Sequence, residues 1–345
     1  MSEIAFNLHS EMERLPKVDL HRHLEGSLRL ETLIDLVRRE GLDLPSDKKA
    51  LQAVVQMQPG EPRTSANFLA KFTHLRSFFR SPEIIHRVTW EAIADAAADN
   101  VRYLELHFTP VALSETGEFP LSEVVDWVIE AASTAAAEHG MELGLILSVN
   151  RHEGVKFAEQ VAHIAVDQKD RGVVGLSLAG DEAGHSAEPF EPVFSAVREA
   201  GLGISIHAGE WEGPENIRYA IEVMGAPRIG HGVRIMEDQE LMGLARNKRV
   251  AFEVCLTSNV QTGAVPNIHD HPLPRMLQAG LQVTLNTDDP SVSDTRLSDE
   301  YALAITELDL SFESIKGLIL TALQASFLSP RKKANLESEF LDVIL

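Results

Sequence analysis

Val18-Asp19-Leu20-His21-Arg22-His23 is a short apolar-led run that stops on two histidines, and three other stretches of the chain end on reactive side chains in the same way. Gly203 to Ile206 runs into His207-Ala208-Gly209-Glu210, Arg228-Ile229 into Gly230-His231-Gly232, and Leu281 to Leu285 into Thr287-Asp288-Asp289-Pro290. In a parallel β/α barrel the strand C-termini share one rim, and that rim is the active-site face. The four clusters lie far apart in the chain, so only a fold can join them. Joined, they read as one metal site.

Working outward, β-type runs alternate with helical patterns from end to end. Eight strands are expected: Val18 to Leu24, Val101 to Phe108, Met141 to Val149, Val173 to Leu178, Gly203 to His207, Arg228 to His231, Val250 to Leu256 and Leu281 to Asn286. Leu30, Leu33, Ile34 and Val37 recur at helical spacing and Gly41 stops that helix. Further helices are expected over Glu83 to Ala98, Ser122 to His139, Pro192 to Ala200, Asn216 to Met224 and Asp238 to Arg246. The fold class is therefore α/β, a (β/α)8 TIM barrel spanning residues 1–345 as a single domain, with its core over about 16–330. A doubly wound sheet would place its ligand crevice at a strand-order switch instead. Leu42 to Asn67 is long and polar, with Pro45, Pro59, Gly60 and Pro62, and reads as a lid-like insertion after the first strand.

Composition narrows the function. With 345 residues, 44% apolar and 24% charged, the chain has the make-up of a globular protein with a large core. A net charge of −21 argues against a nucleic acid polymer, because such binding rests on cations neutralising phosphates. The lone Cys255 excludes an internal disulfide and is expected as a buried thiol on the seventh strand. Met1 to Leu15 lacks an apolar signal core, and Gly317 to Leu328, broken by Thr321, Gln324 and Ser326, is too short to span a bilayer. A cytoplasmic protein without a membrane partner is expected.

The chemistry follows from ligand types. Alternate residues of a strand point the same way, so His21 and His23 can reach one ion. His207 adds a third nitrogen and Asp288 an oxygen, a donor set that suits zinc with water completing the site. Zinc-bound water is acidic enough to supply hydroxide at neutral pH, so hydrolysis is expected. Glu210 is placed to donate a proton to the substrate, His231 to orient the water, with Gly230 and Gly232 leaving its ring room, and Asp289 to hydrogen-bond the substrate. A second H-x-H pair, His269-Asp270-His271, sits before Pro272 and Pro274 and reads as structural.

These residues resemble those of adenosine deaminases. The likeness rests on Leu15-Pro16-Lys17-Val18-Asp19-Leu20-His21-Arg22-His23-Leu24-Glu25-Gly26, Ser177-Leu178-Ala179-Gly180-Asp181-Glu182, the His207 and His231 segments, Cys255-Leu256-Thr257-Ser258-Asn259 and Asn286-Thr287-Asp288-Asp289-Pro290. The resemblance implies a zinc enzyme of the amidohydrolase superfamily, acting in purine salvage and nucleotide metabolism, that hydrolyses adenosine and 2′-deoxyadenosine to inosine and 2′-deoxyinosine with release of ammonia. It implies one Zn2+ per chain on His21, His23, His207 and Asp288. Glu210 would protonate purine N1, and His231 and Asp289 would position the nucleophile. Asp289 would also meet N7, the Gly180 backbone N3, and His23 and Glu25 would complete the substrate contacts. Phe68-Leu69-Ala70-Lys71-Phe72, followed by Leu75 and Phe78, resembles an apolar gate over the pocket.

Two residues depart from the family's common pattern. Glu25 stands where aspartate is usual, on the ribose 5′ side, and His107 replaces an arginine in His107-Phe108-Thr109-Pro110. Glu25 admits alternative 6-aminopurines, either adenine or a 5′-modified adenosine such as aminodeoxyfutalosine. Strand four is followed by Ala179-Gly180-Asp181 without a lysine, which favours one metal over a lysine-bridged pair. A single cysteine cannot supply the Cys-x-x-Cys of cytidine-type deaminases. A non-catalytic zinc-binding barrel would be expected to have lost a ligand or Glu210, and neither is lost.

Overall fold

A computed structural model of the protein describes residues 3–344. Its frame is an eight-stranded parallel sheet: β1 Lys17–His23, β2 Val101–Phe108, β3 Glu142–Asn150, β4 Val173–Ala179, β5 Gly203–Ala208, β6 Arg228–His231, β7 Ala251–Val254 and β8 Gln282–Leu285. The strands neighbour one another in chain order from β1 to β8. That order has no reversal, so the doubly wound alternative falls. The sheet closes on itself where an isolated parallel bridge joins Arg22 to Asp288. There His23 N–H donates to the Asp288 carbonyl at 2.8 Å and Asp288 N–H to the His21 carbonyl at 2.8 Å.

The eight expected strands all form, to within a residue or two at each end, and the seventh falls furthest short at its C-terminal end. It stops at Val254, with Cys255 at the N-cap of a helix over Leu256–Gln261. Cys255 is buried as expected, but beyond the strand rather than on it. The apolar run continues into the helix because both are buried, and periodicity over so short a run cannot separate them.

Four helices fill the β1 to β2 connection, after an N-terminal α1 over Glu3–Arg14: α2 Leu30–Glu40, α3 Lys48–Val55, α4 Ser65–Arg76 and α5 Pro82–Ala98. Within the expected insertion, Leu42 to Asn67, α3 and the first turn of α4 are helical and the rest is irregular. Asp47 caps α3 by accepting from Ala50 N–H, and Leu51 and Val55 bury its inner face. Gly41 ends α2 in the left-handed region at φ 65°, where a side chain would be strained. Among the described residues no helix is long and apolar enough to cross a membrane.

Candidate metal centre and active site

His21 lies on the inner pleat of β1 and is fully buried. Its Nδ1–H donates to Glu253 Oε2 at 2.7 Å, which turns Nε2 towards the rim. His23 Nε2 lies 3.2 Å from His21 Nε2, and Asp288 Oδ1 stands 3.4 Å from both nitrogens. Two imidazole nitrogens and a carboxylate facing one point leave room for a single shared cation.

His207 and His231 complete the group. One donor atom from each of His21, His207, His231 and Asp288 can be chosen so that all lie within 4.8 Å of one another. His207 Nδ1 is buried and without a hydrogen-bond partner. A Cβ at Gly230 would lie 3.0 Å from both His207 Nδ1 and His21 Cε1, so the glycine admits those two rings. Gly232, at φ 62°, packs against Phe252. His231 and Asp288 themselves adopt φ 58° and 60°, a left-handed backbone that costs a non-glycine residue about 1–3 kcal/mol and is typical of functional sites.

The electrostatics sort the rings. Burial pushes His23 down to about 3 and His231 to about 4, and holds His207 well below the usual range, so all three are neutral imidazoles with lone pairs. Burial would lower His21 too, but Asp288 and Glu253 outweigh it and raise it to about 10. The carboxylates therefore call for a positive charge at this point.

His231 differs from the other rings in its second contact. Asn259 Nδ2 donates to His231 Nδ1 at 3.1 Å, which leaves the proton on Nε2. That Nε2 lies 3.5 Å from Glu210 Oε2 and 4.0 Å from Asp288 Oδ2. Asn259 Oδ1 in turn faces His271 Nε2 at 3.3 Å. The second H-x-H pair is thus no part of the cluster: His271 backs Asn259, and His269 is exposed with Nδ1 on the Glu307 carbonyl.

Glu210 reaches the cluster from the turn after β5. Burial, reinforced by the charges of Asp288 and Glu182, holds its carboxyl well above the usual range, so it carries a proton. Thr262 Oγ1 donates to its Oε1 at 3.3 Å. The turn itself is held by Glu182, whose carboxylate accepts from the backbone N–H of Gly209, Glu210, Trp211 and Glu212 at 2.6 to 3.3 Å and from Asn216 Nδ2 at 3.1 Å. The Arg151 guanidinium donates to the His207 carbonyl beside it.

Asp289 Oδ1 is buried without a partner, and a Cβ on Gly26 would stand 1.9 Å from it. Glu25 Oε1 accepts from Thr109 N–H at 2.7 Å, while Oε2 is buried and unpartnered. Gly180 needs its missing side chain twice, for φ 85° and because a Cβ would lie 3.0 Å from His152 Nδ1. His107 is buried, hydrogen-bonded to the Leu20 carbonyl at 3.0 Å and stacked on His21 with centroids 5.1 Å apart. It therefore props a candidate ligand and does not face the cavity.

Every predicted site residue except His21 lines one cavity of about 250 Å³. Phe68, Leu69 and Phe72 of α4, from the segment expected as an apolar gate, wall its other side, whereas no residue of 42–67 lines it. Arg76 and Trp211 also line it, with Arg76 Nε and Trp211 Nε1 buried and unpartnered. These two, with Thr262, Asn259, Glu253 and the anchoring role of Glu182, were missed from sequence. Trp211 stands next to Glu210 and Glu182 within a recognised motif, which could have flagged both. The others carry no local signal.

An eight-stranded parallel β/α barrel with a histidine and aspartate cluster at the C-terminal rim, able to hold a metal, fits a metal-dependent hydrolase. The adenosine deaminase family profile matches residues 16–343. The chain belongs to the adenosine deaminase family, and it is a hydrolytic deaminase. It is 36% identical over 331 residues to the adenosine deaminase of Vibrio parahaemolyticus serotype O3:K6, covering 96% of this chain and 98% of that one. Among solved structures it is similar to adenine deaminase from Arthrobacter aurescens, with TM-score 0.88 and 29% identity over 96% of this chain and 99% of that one. It is also similar to the N6-methyl-AMP deaminase from Arabidopsis thaliana, with TM-score 0.85 and 28% identity over 97% and 98%.

Proposed function

We propose that the protein converts adenosine and 2′-deoxyadenosine to inosine and 2′-deoxyinosine, releasing ammonia, with one zinc ion per chain held by His21, His23, His207 and Asp288. The observation that carries the reading is the pairing of a convergent histidine and carboxylate set with a protonated Glu210 beside one nucleoside-sized cavity. The partnerless Nδ1 of His207 and the facing Nε2 atoms of His21 and His23 fit a zinc donor set. When bound, zinc supplies a water acidic enough to act as a nucleophile at neutral pH. His231 stands apart from the four ligands because its Nε2 carries a proton, which suits it to orient that water.

The chain's own groups do the rest. Glu210 gives its proton to purine N1, which drains electrons from C6 and opens it to attack. His231 Nε2–H and Asp289 fix the direction of attack, and the protonated carboxyl of Asp289, raised by burial and by Asp288, donates to N7. The Gly180 backbone approaches N3, and loss of ammonia restores the ring.

Three buried atoms favour a nucleoside over the free base. Glu25 Oε2, Arg76 Nε and Trp211 Nε1 await polar partners. Free adenine has no hydroxyls to offer them, and an unmet buried group costs about 1–3 kcal/mol. Ribose hydroxyls suit all three. The same three atoms leave a 5′-modified adenosine as the second reading. The substrate is a small purine rather than a nucleic acid polymer, and we place the enzyme in the cytoplasm.

Loss of ultraviolet absorbance on the zinc-loaded protein decides the substrate, run side by side on adenosine, 2′-deoxyadenosine, adenine and a 5′-substituted adenosine. The first two should react fastest, and a faster reaction with free adenine would overturn the nucleoside reading. Glu210→Gln should keep its zinc and lose about 10²- to 10⁴-fold in turnover. Near-normal turnover in that variant would remove Glu210 as proton donor.

A further inference from the structure

Below the metal centre the barrel interior holds a second set of charges that the reaction does not touch. Arg228, at the start of β6, is 1% exposed and sits between two buried carboxylates. Its Nε donates to Glu253 Oε1 at 2.5 Å, and its Nη1 lies 2.5 Å from Glu105 Oε2. Glu253 carries the chain upward, because its Oε2 takes the Nδ1–H of His21 and accepts from Ser205 Oγ at 2.9 Å. Glu105 carries it downward: its Oε1 accepts from Tyr103 Oη at 2.7 Å and from the Phe327 backbone N–H at 2.6 Å.

Phe327 belongs to the turn after the helix Phe312–Ala325, on the floor of the barrel. Its ring lies under the Arg228 guanidinium, 3.9 Å from centroid to Cζ. Arg228 also donates to the Ala325 carbonyl at 3.4 Å. The floor is cut to receive this ring, since a Cβ on Gly203 would stand 2.5 Å from it and one on Gly175 3.2 Å. Sequence, packing and charge thus form one continuous column from a C-terminal turn to a rim histidine.

We propose that Arg228, seated on Phe327 and Glu105, is a positioning residue for the metal centre. It fixes where Glu253 Oε2 stands, and so fixes the ring plane and tautomer of His21 that leave Nε2 free for the ion. The inference rests on the metal reading above and adds to it two residues far from the cavity. Changing a partner that orients a metal ligand typically weakens metal affinity about 10- to 100-fold. Phe327→Leu and Arg228→Lys should show a weakening of that size even though neither side chain lines the cavity.

The test is competition for Zn2+ between the metal-free full chain and a chromogenic chelator, for wild type, Arg228→Lys, Phe327→Leu and Val128→Ala. Val128 is buried on an outer helix, away from the column, and controls for general destabilisation. Weaker zinc binding in the first two variants, with Val128→Ala unchanged, supports the proposal. Unchanged affinity in both, or an equal loss in Val128→Ala, overturns it. Failure of the wild type to take up zinc would sink the metal reading instead. In that case the ring Nδ1–H of His21 in the metal-free protein decides: slow exchange of that proton in wild type, where Glu253 accepts it, that becomes fast in Arg228→Lys supports the column, and unaltered exchange overturns it.

Discussion

Gly26 shows how a residue without a side chain can set the reactivity of another. Any Cβ at that position would collide with Asp289 Oδ1, so Gly26→Ala must move the carboxyl proposed to meet the substrate. A shift of about 1 Å in such a group can cost about 100-fold in rate. Gly26→Ala should therefore bind zinc normally and lose roughly that factor in kcat/KM, measured by absorbance loss with adenosine alongside metal analysis of the same sample. A second outcome belongs to Glu210. Its raised pKa makes the protonated form the working one, so the rate should fall as pH climbs through that value. The high-pH limb should vanish in Glu210→Gln at its residual rate. At this scale the sequence was readable where a polar residue ends an apolar run, as His21, His207 and Asp288 do. Glu253 was not, because it interrupts the apolar run Ala251–Val254, where both faces are buried. Alternation cannot then say which residue points inward.

Among the elements, the turn after β5 has the clearest division of labour. The strand end just before it carries a candidate ligand, His207, and the turn carries the proposed proton donor, Glu210, three residues on, while Glu182 gathers the turn's backbone N–H groups. Glu182→Ala frees those donors and lets Glu210 drift. The expected result is a 10- to 100-fold fall in kcat with KM nearly unchanged, and partial retention of activity in Glu182→Gln, which can still accept; steady-state kinetics on the three proteins separates these outcomes. Strands were legible to within a residue or two because short β-rich runs bounded by glycines have few other readings. The insertion was less so. Its α3 is only eight residues long, with two buried positions, too brief for helical periodicity to emerge from a proline-rich stretch. Its cap, Asp47, was the one available signal.

The whole molecule carries a pH dependence of its own. Glu300, on the helix Leu297–Leu308, is buried and accepts from Thr257 N–H at 3.2 Å and Thr295 Oγ1 at 3.1 Å. Burial raises its carboxyl from 4.5 to about 7, outweighing those hydrogen bonds. Between these values the folded chain holds a proton that the unfolded chain has released, so its contribution to stability is complete below pH 4.5 and is lost as pH rises through 7. The difference in unfolding free energy between wild type and Glu300→Gln should fall by about 1.4 kcal/mol per pH unit across that window, read from urea titrations. The seam between β1 and β8 is the other global feature, joined by few backbone contacts and by the candidate ligands His21, His23 and Asp288. Zinc at 1,000 times its Kd should add about 4 kcal/mol of stability and slow amide exchange at His23 and Asp288, and a chelator should reverse both. Birth order follows from the same seam. A nascent chain leaving the ribosome exposes His21 and His23 with the first strand, yet Asp288 emerges only after the eighth. The proposed ligand set cannot assemble until the last strand of the barrel has been made, so on that reading metal capture follows barrel closure.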